Sequence, residues 1–191
     1  MNANDTARQT LLAAAALHRQ VAESDAGPLV AAADLVVTSL RAGGKLLVFG
    51  NGGSALDAQH VASEFVNRFE RSRVALAALA LTTDASVMTS IANDDSFERV
   101  FARQIEALGR PGDVAFGIST SGGSPNVVAG LQAARNRGLR TIALTGRDGG
   151  DVGLASDVHV NVPSSSTARV QEVHRTLLHV LCELVERALG S

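Results

Sequence analysis

The sequence has one cysteine, one lysine, no tryptophan and no tyrosine. Cys182 has no partner within the chain, which excludes an internal disulfide and fits a reducing cytoplasm. Lys45 stands alone at the start of an apolar run, which argues against Schiff-base chemistry and against a P-loop lysine. Aromatic residues make up 3% of the chain, too few to build stacking platforms for bases or sugars. The net charge of −2 offers no electrostatic case for nucleic acid or for an anionic membrane. No charge-free stretch reaches membrane-spanning length. The N-terminus lacks the basic-then-apolar pattern of an export signal, since Asp5 and Arg8 precede a merely Ala-rich run.

What is present is a chain of 191 residues, 46% hydrophobic, expected to form a single domain over 1–191. Two Ala-rich helices come first, Thr6 to Glu23 and Pro28 to about Ala42. They form an N-terminal extension over 1–42 and exceed what one sheet face needs, so an oligomer contact is expected there. Leu46 to Phe49 is a strand buried on both faces, because four apolar residues run without alternation. Further strands are expected over Val74 to Leu81, Val114 to Ile118, Thr141 to Leu144 and Val158 to Val162. Helices are expected between them: a short one that follows Thr82-Thr83-Asp84 and runs to about Ala92, one capped by Ser96 that carries Phe97 and Phe101, and one from Ser124-Pro125 to Gly138. The loop Asn93-Asp94-Asp95 separates the first two, and a last helix runs from Thr167 to Leu189. Alternating strands and helices imply an α/β fold with a doubly wound, parallel, five-stranded sheet.

Two loops carry the chemistry. Gly50-Asn51-Gly52-Gly53-Ser54 follows the first strand and opens a helix, with Ser54 expected to cap it through Asp57. Free N–H groups at such a helix start make an anion site. Gly50-x-Gly52-x-x-Ala55 also matches a dinucleotide fingerprint, but that needs an acid about 20 residues on at the end of the next strand. Glu70 falls too early and Asp84 too late. The second loop, Ser119 to Ser124, lies at the end of another strand, and two Ser/Thr/Gly loops suit one phosphate better than a pyrophosphate. His60 and Glu64 stand four apart, on one face of the helix behind the first loop. The last helix places Gln171, Glu172, His174 and His179 among Leu and Val, where buried polar groups need partners.

These motifs together resemble the phosphoheptose isomerases of the sugar isomerase (SIS) domain family. The matching residues are Gly50-Asn51-Gly52-Gly53-Ser54, Asp57-Ala58-Gln59-His60, Glu64, Asn93-Asp94, Ser119-Thr120-Ser121-Gly122, Ser124, Leu144-Thr145-Gly146, and Gln171-Glu172 with His174 and His179. The resemblance implies a homotetramer with sites at subunit boundaries and no nucleotide cofactor. It implies conversion of sedoheptulose 7-phosphate to D-glycero-D-manno-heptose 7-phosphate. It also implies one divalent metal per subunit, zinc in some members, at His60, Glu64, Gln171 and His179. Substrate-binding positions carried over are Asn51, Gly52, Gly53, Asn93, Asp94, Ser119, Thr120, Ser121 and Ser124, along with His60, Glu64 and Gln171; Ser54 is added on physical grounds. Glu64 is the candidate base and His179 the candidate acid.

Ala168 departs from the Asp some members carry three residues before the Gln. Asn67 to Glu70 and Thr167 to Gln171 also resemble a non-catalytic relative that binds the bacterial replication initiator, which is the alternative reading. That relative lacks the Glu and the second His, and both are present here. Gln171 and His179 are eight residues apart, a rise of roughly 12 Å on one helix. One ion cannot easily take both from a continuous helix, so either the helix starts after Gln171 or two chains supply the two residues. The expectation is a site built across a subunit boundary, with Glu64 and His179 acting from different chains.

Overall fold

The computed structural model describes residues 2–190. Helix α1 (Ala3–Ala22) opens on a reciprocal cap between Asn2 and Asp5, and α2 (Gly27–Arg41) has Pro28 in its first turn. The order then runs β1 (Leu46–Gly50), α3 (Gly53–Val66), β2 (Ala78–Ala80), α4 (Ala85–Asp94) and α5 (Val100–Leu108). It continues through β3 (Val114–Ser119), α6 (Pro125–Asn136), β4 (Arg140–Gly146), α7 (Gly150–Leu154), β5 (Val158–Val162) and α8 (Thr167–Leu189). All four strand pairings are parallel and the sheet order is β2-β1-β3-β4-β5. No described helix is long and apolar enough to cross a membrane.

Period-two alternation divides the core. Leu46 and Val48 face a layer of α2, α3 and α8, while Leu47 and Phe49 face α5 and α6. The chain leaves β1 for β2 on one side and returns to β3 on the other, so the loops after β1 and β3 part over a crevice at the carboxyl ends of the strands.

Several expectations need correction. The strand expected over Val74 to Leu81 shrinks to Ala78–Ala80, and Val74 is 76% exposed. This strand is one of the two sheet edges, paired on one side only, so an apolar run there does not imply burial on both faces. Ser54 does not cap α3: Gly52, at φ +55°, holds the cap position, and the buried Ser54 lies inside the first turn. Asp57 makes no capping box and pairs with Arg175 instead. Phe97 is 56% exposed in a short 3-10 turn, and the buried face of α5 begins at Val100. Asn93 and Asp94 complete α4 rather than forming a loop. The short helix α7 had no expectation behind it. Leu11 and Leu12 on α1 are exposed at 71% and 58%, and only Leu17 of that helix is buried.

Candidate active site

Helices α3 and α8 run side by side in the same direction, and one face of each is polar. On α3 the spacing of Gly53, Asp57, His60 and Glu64 places all four on one face. On α8, Gln171, Arg175, His179 and Glu186 do the same. The two faces meet rung by rung. The Gln171 amide lies so close to Gly53 that a Cβ there would overlap it. Arg175 holds Asp57, and His179 meets His60 with Nε2 to Nε2 at 2.8 Å. Glu186 accepts from the chain just beyond α3, through Arg73 and the N–H groups of Phe69, Glu70 and Arg71.

The middle rungs hold the titratable groups. Glu64 Oε1 is 3.7 Å from His60 Nε2, and both side chains are partly open to solvent. One of the facing imidazole nitrogens must donate and the other accept, an arrangement through which a proton can pass. Burial lowers the pKa of His60, and the Arg175 guanidinium adds to that effect. Burial raises the pKa of Asp57 in spite of Arg175. Cys182, beneath Glu64, is pushed up to about 12 by burial and remains a thiol.

The two loops form the other half. Asn51 and Asn126 exchange amide hydrogen bonds of 2.8 and 2.9 Å, tying the β1 loop to the first turn of α6. Ser124 occupies the cap position of α6, but its hydroxyl bonds Ser119 Oγ at 2.8 Å, and Ser121 lies 3.3 Å from that same oxygen. Gly122, at φ +70°, packs on the backbone of Gly149, where a Cβ would come within 2.5 Å of it. The Thr120 carbonyl packs on Gly146 in the same way. A cleft of about 260 Å³ opens beside both loops, lined by Asn51, Phe97, Glu98, Ser124, Pro125 and Asn126. Hydroxyls, amides and two helix starts with no carboxylate among the loop residues suit a phosphate.

The structure brings His60, Glu64 and His179 together within one chain, so the pairing of Glu64 with His179 needs no second subunit. It leaves this chain's Gln171 two turns of α8 away, against Gly53. Asn93 and Asp94 bond each other at 2.8 Å and are exposed at the end of α4; no hydrogen bond joins them to either loop among the described residues. His174 is fully buried: Nε2 donates to the Thr145 carbonyl at 2.9 Å, Nδ1 has no partner among the described residues, and burial pulls its pKa to about 4. Asn126 and Arg175 escaped the sequence reading. The position of Asn126, in the first turn after Ser124-Pro125, was an available signal; nothing local marked Arg175.

The donor types at His60, Glu64 and His179 are those zinc takes. Their spacing leaves the set open, because among the described residues no three His, Cys, Asp or Glu side chains converge closely enough to hold an ion.

The fold and site define a class. A family model described as SIS domain matches residues 11–146, and the chain belongs to that family. Its relatives narrow the class to the phosphoheptose isomerases. The chain is 57% identical to the phosphoheptose isomerase of Roseiflexus sp. over 171 residues, 90% of this chain and 87% of that protein. A solved phosphoheptose isomerase from Neisseria gonorrhoeae superposes with a TM-score of 0.93 at 42% identity, covering 97% of this chain and all of that one (100%). One from Francisella tularensis gives 0.94 at 34% identity, covering 98% of this chain and 100% of that one.

Proposed function

We propose that this chain is an aldose–ketose isomerase that converts sedoheptulose 7-phosphate to D-glycero-D-manno-heptose 7-phosphate. The observation that carries the reading is the Glu64–His60–His179 cluster, set on α3, which begins at the loop after β1, and on α8, whose Gln171 packs against that loop. The reaction moves a proton between C1 and C2 through an enediol. Glu64 is the base that carries it, and His179, backed by His60, supplies or takes the proton on oxygen. The phosphate is a handle: bound by Ser119, Thr120, Ser121, Ser124, Asn51 and the amides of Gly52 to Ser54, it holds C1 and C2 in place. Asn93 and Asp94 are substrate contacts that a neighbouring chain would have to bring to the loops.

A zinc ion, one per subunit, would need His60, Glu64 and His179 to draw closer than they stand in this chain alone, and when bound would polarise the carbonyl. Gln171 would join them from a neighbouring chain. The exposed Leu11 and Leu12 support a helical contact in a homotetramer. A cytoplasmic location fits the single free cysteine. The adaptor reading is set aside, because the catalytic Glu and His are present and the named relatives are isomerases.

Incubation with sedoheptulose 7-phosphate in heavy water is expected to place deuterium at C2 of the product. No turnover of any seven-carbon ketose phosphate would defeat the reading. Ser121→Ala and Ser124→Ala are expected to weaken inorganic phosphate binding by roughly 1–3 kcal/mol, since each removes a hydrogen bond to a charged group. Calorimetry checks this, and unchanged affinity in both variants would move the phosphate off the Ser119–Ser124 loop.

A further inference from the structure

The seam between α3 and α8 holds a cation that the reaction as described does not use. Arg175 Nε and Nη2 both lie on Asp57 Oδ1, at 2.9 and 2.6 Å. The Asp57 side chain is 5% exposed and that of Arg175 40% exposed, so the carboxylate is sunk in the seam and the guanidinium reaches its opening. Among the described residues Arg175 Nη1 has no acceptor and Asp57 Oδ2 no donor. One turn earlier on α8, Gln171 touches Gly53 of the anion loop. One turn later, His179 touches His60. Arg175 therefore occupies the step between the phosphate end and the proton-transfer end, and its charge is felt at His60. The lone lysine cannot substitute, since Lys45 pairs with Asp113 at the opposite, amino-terminal end of the strands.

A sugar phosphate gripped at the loop after β1 and reacting at Glu64 would lie along this rung. We propose that Arg175, docked on Asp57, is a specificity-determining residue that binds hydroxyl oxygens of the substrate between its phosphate and its reacting carbons. The inference rests on the isomerase reading above. A guanidinium presents only donors, in a fixed plane, and suits hydroxyl oxygens acting as acceptors. Docking on Asp57 fixes the fork before substrate arrives, so little side-chain freedom is left to lose on binding.

The test measures, by calorimetry, binding of sedoheptulose 7-phosphate and of inorganic phosphate to wild type, Arg175→Lys and the double variant Asp57→Asn/Arg175→Gln. Arg175→Lys keeps a charge beside the buried Asp57, and the double variant replaces the ion pair with neutral amides, so neither leaves a buried charge alone. The expected result is a tenfold or greater loss of affinity for the sugar phosphate in both, with phosphate affinity unchanged and KM rising more than kcat falls. Loss of both affinities in parallel would assign Arg175 to the phosphate and overturn the proposal; so would unchanged sugar-phosphate affinity, or a fall in kcat alone. Wild type that binds the sugar phosphate but does not turn it over defeats the isomerase reading and leaves the Arg175 comparison standing. Wild type that fails to bind it defeats both.

Discussion

Glu64→Gln is expected to cut turnover of sedoheptulose 7-phosphate by roughly 10²–10⁴-fold, the range a positioned general base contributes. The change keeps the shape of the side chain on the polar face of α3 and removes its ability to take a proton. It leaves Asn51, Ser119, Ser121 and Ser124 untouched, and these belong to the loops after β1 and β3. Sugar-phosphate affinity is therefore expected to stay near that of wild type. Steady-state turnover and titration calorimetry on the same preparation separate the two effects. Activity within a few-fold of wild type would show that another group carries the proton. Zinc content of the variant discriminates further: if Glu64 acts mainly as a metal ligand, turnover and bound zinc fall together.

Arg73→Leu is expected to cost about 3–5 kcal/mol of stability, the range found when one partner of a buried ion pair is removed. Arg73 and Glu186 have side chains only 5% and 3% exposed. Arg73 also donates to the Glu64 carbonyl at 2.7 Å and the Phe65 carbonyl at 2.9 Å, closing the C-terminal turn of α3 beneath the proposed base. The variant leaves Glu186 buried with only the N–H groups of Phe69, Glu70 and Arg71. For a chain of this size the melting temperature should fall on the order of 10 °C. Burial pushes the Glu186 carboxyl up, but those N–H groups and Arg73 outweigh it and hold the group below its ordinary value of 4.5. Its contribution to stability is therefore complete above pH 4.5 and is lost as the pH falls through the lower, folded value. Wild type should lose stability along that acid limb, and Arg73→Leu should lose less there. Equal melting temperatures near neutral pH would mean that Arg73 contributes packing alone.

The strands β1 and β3 were legible because buried parallel strands are continuous apolar runs, and such a run is a local property; the edge strand β5 was legible from the alternation of Val158, Val160 and Val162. Helix α8 was legible at both ends for a similar reason, a long apolar face bounded by loop residues. The edge strand β2 was overread, since an apolar run does not say whether a neighbouring strand lies on one side or two. Ser54 and Ser124 were both read as caps. Only the position of Ser124 held, and its hydroxyl went to Ser119 across the loop. A short-range rule predicts short-range partners, but the Ser124 hydroxyl finds Ser119 five residues back and Asp57 finds Arg175 on another helix.

By itself the sequence determined the alternating α/β order, the two loops at strand ends, and the presence of His60 and Glu64 on one helix face. Each follows from spacings within a single element. Only the tertiary structure decided which helix lies beside α3. The contacts His60–His179 and Asp57–Arg175 join residues 119 and 118 positions apart, and no periodicity spans that distance. The parallel packing of α8 on α3 converts two separate polar faces into one ladder. It puts Gln171 against Gly53 and His179 against His60, because eight residues of helix are long enough to reach from one end of α3's polar face to the other.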